Sequence, residues 1–404
     1  MRLPLALRNI TRHGRRTGIG LSAIAFGVVA MVLAGGFFDW ILRDLRESTI
    51  QSRLGHIQIT KSGFREFGTA DPFTYLLDAN ASELTLLQNF PQARTVASRI
   101  MFSGVISHGD TSVSFLGEGV EPDKEQVLSK RVSILQGANL SSDAADEVLL
   151  GAGLATSLGV KPGDTVVLLA TASSGGTNGV EVKVSGLFAT YTKAYDDSSL
   201  RVPLPVARKL LRTSGAHRWV VLLNDTDQTA AALSVLRQQF ANSKLEVTPW
   251  FDLADFYNKL SLLFVRQVAV IRIMIALIVL LSISNTMVMS VLERTGEIGT
   301  LMALGLKRKN ILGLFIAEGF FLGVLGGIGG IVLGIAMAQV ISAIGIPMPP
   351  PPGSNIGFTA GILISWPNIL GALLLVMATT LLASIYPAWK ASRMEIVDSL
   401  RHYK

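Results

Sequence analysis

Residues 319–389 read GFFLGVLGGIGGIVLGIAMAQVISAIGIPMPPPPGSNIGFTAGILISWPNILGALLLVMATTLLASIYPAW, 71 consecutive positions without Asp, Glu, Lys or Arg. A helix needs about 20 apolar residues to cross about 30 Å of hydrocarbon, so this run is long enough for more than one crossing. The segment Ile346-Pro347-Met348-Pro349-Pro350-Pro351-Pro352-Gly353-Ser354-Asn355 cannot continue a helix, because proline lacks the N–H and clashes with the preceding turn. Two spans result, 311–343 and 366–386, joined by a short external proline-rich loop, 344–365. Two further charge-free runs, 17–38 and 273–292, are each long enough for one more. Four spans are therefore expected.

The whole chain agrees with that count. Of 404 residues, 49% are hydrophobic and 16% charged, and the mean hydropathy is +0.45; intrinsic disorder needs the opposite balance. The net charge of +7 invites a nucleic-acid reading until the charges are located. Residues 1–16 carry Arg2, Arg8, Arg12, Arg15 and Arg16 with no acid. Together with 293–309 and 390–404 they hold 13 bases and 4 acids, whereas 39–272 holds 23 bases and 24 acids. Four spans place all three basic segments on one side, which the positive-inside rule makes the cytoplasm. The excess charge is a topology signal, and no nucleic-acid partner is expected.

Residues 1–16 are read as an amphipathic cytoplasmic helix on the membrane surface, with Leu3, Leu7 and Ile10 on one face and Arg8, Arg12 and Arg15 on another. Val32-Leu33-Ala34 mimics a signal-peptide cleavage site, but the apolar run is longer than an ordinary h-region, so a retained anchor is expected. Residues 39–272 are long enough for one core or for two small ones divided near 130–150, and both alternatives stay open. Strands are expected at 57–59, on both sides of a Gly109-Asp110 turn, and at 165–169, 180–184 and 219–223; helices at 205–213 and 227–241, the latter capped by Asp227. The fold class is a membrane protein of four transmembrane helices with a large α+β extracytoplasmic domain inserted between helices 1 and 2. Phe256, Leu260, Phe264, Val268, Ile271 and Ile275 recur at helical spacing with no Gly or Pro before the second span. Asp252–Leu292 is thus expected as one rod, with a break at Arg266 or Arg272 as the alternative, and the first span is expected to continue through Asp39 to Arg53.

Catalytic chemistry is sparse. There is no Gly-x-x-x-x-Gly-Lys-[Ser/Thr] loop for ATP, no Gly-x-Ser-x-Gly elbow and no closely spaced histidine pair for zinc. Zero Cys removes disulfides and thiolate chemistry. The chain is expected to be no enzyme, with neither catalytic nor metal residues and no cofactor of its own. What the spans do carry is glycine: Gly319, Gly323 and Gly327 form one row of spacing four, and Gly326, Gly330 and Gly334 another. Such rows let helix backbones approach closely, either within the chain or at a dimer seam. Glu318 stands beside them, as an interfacial carboxylate or as a polar latch to a neighbouring helix.

The loop 293–310 contains Glu293-Arg294, Glu297-Ile298-Gly299, Leu301, Ala303-Leu304-Gly305 and then Ile311. A short helix capped by Gly305 is expected, with Ile298, Leu301, Met302 and Leu304 as an apolar ridge; it is a partner site or a passive connector. Followed by Glu318, a glycine-rich helix from Gly323, and Tyr386-Pro387-Ala388 before a cytoplasmic tail (387–404), these residues resemble the FtsX/MacB-type permease domain of ABC systems. Ala6-Leu7-Arg8-Asn9 and Glu147-Val148-Leu149-Leu150-Gly151 resemble that family too, and Gly55-His56-Ile57-Gln58 is closer to its lipoprotein-releasing branch.

The resemblance implies a permease in the bacterial inner membrane with both termini cytoplasmic. It would pair with a second, identical or related permease and with a dimer of ATPase subunits that bind ATP and Mg. Glu293, Arg294, Glu297, Ile298, Leu301, Ala303, Leu304 and Gly305 would couple to the ATPase. The cargo would be hydrophobic or lipidated, moved by mechanical transmission, with a periplasmic carrier or adaptor as a further partner. The stretch that recruits a carrier in the lipoprotein-releasing branch corresponds to 171–179, which here has no aromatic or proline anchor. The alternative is an FtsX-like signalling protein that activates a cell-wall hydrolase without transport. Because the chain has no cysteine, topology is directly testable: Asn80→Cys is expected to react with an impermeant maleimide in intact cells after outer-membrane permeabilisation, and Thr300→Cys only after lysis.

Overall fold

The computed structural model describes residues 14–141, 146–190, 192–349 and 357–394. The amphipathic helix read over 1–16 therefore lies outside the described residues except for its last three positions, as do residues 350–356 of the proline-rich loop and the tail beyond 394. The chain divides into two compact units, a helical unit from 1–42, 261–346 and 359–404, and a head from 43–260 with 347–358.

Five helices organise the first unit: α1 (Gly14–Thr49), α2 (Asp255–Glu293), α3 (Thr295–Ala303), α4 (Arg308–Ile344) and α5 (Trp366–Ser392). All but α3 are long and apolar enough to cross a membrane. The charge-free runs 17–38 and 273–292 each sit inside one of them, the run 319–389 is divided between α4 and α5, and every helix extends past the span expected for it. The rod runs unbroken through Arg266 and Arg272, since no Gly or Pro interrupts the 39 residues of α2, a length of about 58 Å. It starts at Asp255 rather than Asp252, because Trp250–Leu253 forms a separate turn before Ala254. Leu260, Phe264, Val268, Ile271 and Ile275 form its partly buried stripe, while Phe256 is exposed. Two short strands, Ile346–Met348 and Phe358–Ala360, replace the structureless loop expected between α4 and α5.

The glycines of α4 explain its position between two neighbours. A Cβ at Gly319, Gly323 or Gly327 would meet Ser384, Thr380 or Leu373 of α5, and one at Gly326, Gly330 or Gly334 would meet Ile24, Val28 or Val32 of α1. Both rows thus serve packing within the chain, the GxxxG logic applied on two faces of one helix. Ile24, Val28, Val32, Val279, Ile283, Phe315, Leu322, Val376 and Ala383 make up much of the resulting core.

The head is an interleaved sheet of ten strands. Its strands are β1 (Ile57–Lys61), β2 (Ala93–His108), β3 (Thr111–Val120), β4 (Ser133–Gly137), β5 (Glu147–Gly151), β6 (Thr165–Thr171), β7 (Thr177–Ala189), β8 (Ser199–Pro203), β9 (Arg218–Leu223) and β10 (Leu245–Pro249). The Gly109-Asp110 turn is a two-residue hairpin with His108 opposite Thr111; Gly109 has φ +56°, which the first position of such a turn requires. β2 is shared. Its first half pairs with β9 in the sheet β10-β1-β9-β2, and its second half closes a ring β2-β3-β8-β5-β7-β6. Two cores follow, one inside the ring around Phe115, Leu150, Leu168 and Leu200, the other under the open sheet around Ile57, Trp219, Val221 and Leu236. The head therefore does not divide near 130–150 along the chain: the open sheet takes residues from both ends of the segment, and the ring is the insertion. The helix expected from Asp227 begins at Thr229 after a 3-10 turn, Thr226–Gln228, and it is this turn that a side chain caps: Asp225 accepts from Asp227 N–H at 3.0 Å.

Gly330→Ala should lower the melting temperature of the detergent-solubilised protein, because the new methyl would lie 2.7 Å from the Ala25 carbonyl, which cannot move aside; overpacking of this kind costs about 1–3 kcal/mol. Gly329→Ala, with nothing within 4 Å, should leave it unchanged or raise it slightly, since alanine is the better helix former. A thermal melt of the two variants side by side decides it.

Candidate functional site

The loop between α2 and α4 is ordered by its own ends. At the start of α3, the Arg294 guanidinium lies 3.3 Å from Glu297 and 3.4 Å from Glu318 on α4, and both Arg294 and Glu318 are buried. Glu318 is thus paired with Arg294, the second residue of the Glu293-Arg294 motif. At the other end Leu306 N–H donates to Leu301 C=O (3.1 Å) and Gly305 N–H to Met302 C=O (3.0 Å). With Gly305 at φ +92°, this is the Schellman arrangement that ends a helix on glycine.

The expected apolar ridge is split by this seating. Ile298 and Met302 are buried against Ile311 and Phe315, so Ile298 anchors the helix and is not presented to a partner. Leu301 is half-buried, whereas Glu293, Glu297, Ala303, Leu304 and Gly305 face outward. Leu304 is 77% exposed, a large apolar side chain held out by a rigid turn.

In the head, the sequence reading missed the centre altogether. The last turn of α1 continues as a π-helical turn, Ile50–Leu54, whose final carbonyls have no partner within the helix. Ile50 C=O is closed by the cap itself, Gly55 N–H (2.9 Å), and the next four find partners elsewhere in the head: Gln51 C=O accepts from Arg131 N–H (3.2 Å), Ser52 from Arg201 Nη2 (2.7 Å), Arg53 from Arg99 Nη1, and Leu54 from Gln58 Nε2 (2.8 Å). The arginines come from β2 and β8, and with Arg218 of β9 they are buried. Glu125 takes Arg99 in a two-pronged pair at 2.6 and 3.3 Å, and also Arg201 at 3.3 Å. Glu118 takes Arg218 at 2.6 Å and lies within 4 Å of Arg99, Arg201 and Arg53. Burial by itself would raise the Glu118 carboxyl, but Arg218, Arg99, Arg201 and Arg53 hold it well below the usual carboxylate range.

A second clamp holds the same helix one turn earlier. His56 Nδ1 accepts from Leu223 N–H (3.0 Å), so its proton is on Nε2 and is donated to Thr226 Oγ1 (3.0 Å), which donates to Glu47 of α1 (2.9 Å). Burial pulls His56 down to about 4 and His217 likewise, so both are neutral near pH 7. Among the described residues no group of His, Cys, Asp and Glu is arranged to hold a metal ion.

Comparison with known proteins connects these features. The MacB-like periplasmic core domain matches residues 17–239, and the FtsX-like permease C-terminal domain matches 269–396. The chain belongs to the FtsX/MacB-type permease family. It is similar to an uncharacterized ABC transporter permease of Methanocaldococcus jannaschii, 25% identical over 99% of this chain and 97% of that one. It is similar also to the lipoprotein-releasing system transmembrane protein LolC of Xylella fastidiosa, 24% identical over 74% of this chain and 76% of LolC. The macrolide export ATP-binding/permease protein MacB of Acinetobacter baylyi is 23% identical over 84% of this chain and 52% of its own length. The fold is that of an ABC transporter permease, with four candidate transmembrane helices and a sheet-rich periplasmic domain following the first.

Within this permease, the Gly55-His56-Ile57-Gln58 run now has a physical reason. Gly55 sits at φ +64° as the helix stop, His56 clamps Glu47 through Thr226, Ile57 enters the core, and Gln58 caps the Leu54 carbonyl. The signal for the buried cluster was also present, as single charges inside apolar strands: Leu200-Arg201-Val202, Gly117-Glu118-Gly119 and Arg218-Trp219-Val220. Such charges are almost always paired.

Glu118→Gln should destabilise the protein by about 3–5 kcal/mol, the usual result of stripping one partner from a buried pair. The pH profile separates the contributions. His56 and His217 bind protons more readily unfolded, so stability falls as pH drops from about 6.5 towards 4; Asp196, raised to about 6 by burial, works against this without reversing it. Glu118, depressed in the fold, adds a further loss only below about 4.5. Denaturant titrations across pH 3–7 are expected to show the lower limb shrink in Glu118→Gln and the upper limb persist.

Proposed function

We propose that this permease couples ATP hydrolysis by a partner ATPase dimer to movement of its periplasmic head, and that it exports or extracts a hydrophobic or lipidated cargo. ATP and Mg belong, in this reading, to the partner; the chain itself supplies no catalytic residue and acts with a second permease, identical or related, in the bacterial inner membrane, with a periplasmic carrier or adaptor as a further partner. In this reading both termini and α3 are on the cytoplasmic side, which the positive-inside distribution supports.

The observation that carries the reading is α3. It presents Leu304 on a rigid turn, and its root is bolted to α4 through Arg294 and Glu318, so a push on α3 is a push on the spans. The relatives named as ATP-binding/permease and lipoprotein-releasing proteins support an ATPase partner and a lipidated cargo. Glu293, Arg294, Glu297, Leu301, Ala303, Leu304 and Gly305 are the coupling residues, with Glu297 and Leu304 as contacts and Arg294 and Gly305 as shape-holders. Ile298 contributes only through its packing.

Leu304→Asp should reduce co-purification of the ATPase with the tagged permease by about tenfold or more, while leaving the melting temperature unchanged. Glu297→Lys should act in the same direction. Ile298→Asp should instead lower the melting temperature. Full ATPase recovery with Leu304→Asp would remove the basis for the coupling role.

A further inference from the structure

The helical unit contains an apolar groove of about 820 Å³ between α1, α2 and α5. Its walls include Phe264, Val268, Leu277, Leu280, Leu375 and Leu382, and among the described residues its charged lining is Asp39 and Arg272. Asp39 ends the first charge-free run and Arg272 immediately precedes the second, so both belong to the same ends of the two spans, where lipid headgroups meet the hydrocarbon. From that level the groove follows α5 from Gly371 to Leu382, about 16 Å at 1.5 Å per residue. This matches one leaflet, half of the roughly 30 Å core.

The two charges are not spent on one another. Arg272 Nη2 donates to Asn368 Oδ1 at 2.9 Å, and its Nε is shielded with no hydrogen-bond partner. Asp39 accepts one bond, from Ser365 Oγ at 2.9 Å, although a carboxylate has about four acceptor sites. No ion pair within 4 Å joins them. The seat for Arg272 is itself constructed: Asn368 is buried, its Nδ2 donates to Val32 C=O at 3.2 Å, and Gly35 is the residue whose missing side chain leaves room for it. A guanidinium held this way at the edge of hydrocarbon is expensive unless an anion completes it.

We propose that this groove binds a single phospholipid-type amphiphile with a zwitterionic head: phosphate on Arg272, ammonium on Asp39, and an acyl chain along α2 and α5. Opposite charges that share a groove without pairing are complementary to a ligand carrying both signs. Arg272 is the recognising group and Asn368 a positioning residue. The site goes beyond the coupling reading, because binding here requires neither nucleotide nor ATPase, and it survives if that reading fails.

The test uses the full chain, purified and exchanged into detergent, with dioleoyl phosphatidylethanolamine and dioleoyl phosphatidylglycerol as competing probes read by native mass spectrometry. The expected result is one phosphatidylethanolamine retained per chain in preference to phosphatidylglycerol. Arg272→Gln should lower its retention by about tenfold or more, Arg272→Lys should restore part of it, and Asp39→Asn should remove the preference between the two lipids. Melting temperatures of the variants confirm that the fold is intact. Equal retention of the two lipids by the unaltered chain overturns the proposal, as does undiminished retention by a folded Arg272→Gln. So would efficient Leu277→Cys cross-linking between two chains that excludes lipid, since the groove would then be a seam between permeases.

Discussion

A helix that ends inside a protein must find partners for its last carbonyls, and α1 ends inside the head. That requirement organises the centre of the domain. Five consecutive carbonyls, from Ile50 to Leu54, receive donors from β1, β2, β8 and the segments around them. Two of the donors are buried guanidiniums, favoured at a helix C-terminus by the partial negative charge there. Those cations then demand carboxylates, which Glu118 and Glu125 supply. Ser129 and Tyr195 fill the remaining acceptor positions by donating to Glu125 and Glu118. Each polar group is thus present because another was buried first. A cluster like this confers less net stability than an apolar core would, but it fixes one geometry, because every displaced member leaves an unpaired charge.

Close approach rather than charge orders the helical unit. With lipid as apolar as leucine, spans associate through packing, and α4 obtains it by carrying glycine on the two faces that meet α1 and α5. The consequence is an uneven bundle. Within the most apolar window of each span, α1, α4 and α5 are between 33% and 44% buried, whereas α2 is only 11% buried. The C-terminal half of α2 still packs, through Val279, Ile283, Met287 and Val291; its N-terminal half leaves the groove open. The helix least held by its neighbours is therefore the one that leads into α3.

The difference between what the sequence disclosed and what it concealed is a difference between local and distant causes. The spans, the α3 turn and the Gly109-Asp110 hairpin depend on neighbours in the chain: an uncharged run, a glycine at the C′ position, two residues between alternating strands. Each is legible from its own window. The glycine rows were visible, yet their partners, Ser384 and Thr380 on one side and Ile24 and Val28 on the other, lie far along the chain. Arg99 with Glu125 and Arg201 with Ser52 are separated by 26 and 149 residues, so no window contains both members. The head's division was misplaced for the same reason. β2 is one uninterrupted strand, and nothing in its sixteen residues says that its two halves belong to different sheets.

The two stalk ends are held differently within the head. α1 ends in the cluster just described, hydrogen-bonded carbonyl by carbonyl. α2 begins after the turn Trp250–Leu253 with a mainly apolar contact: Trp250, Ala254 and Tyr257 pack on Ile50, Leu54 and Leu222, and Trp250 N–H donates to His56 C=O at 2.9 Å. Hydrogen bonds to buried charges are directional and resist sliding as well as separation. Apolar contacts resist separation but tolerate small shifts, because dispersion depends weakly on register. The end of α1 is therefore tied to β1, β2 and β8 by directional bonds, whereas the start of α2 rests chiefly on packing.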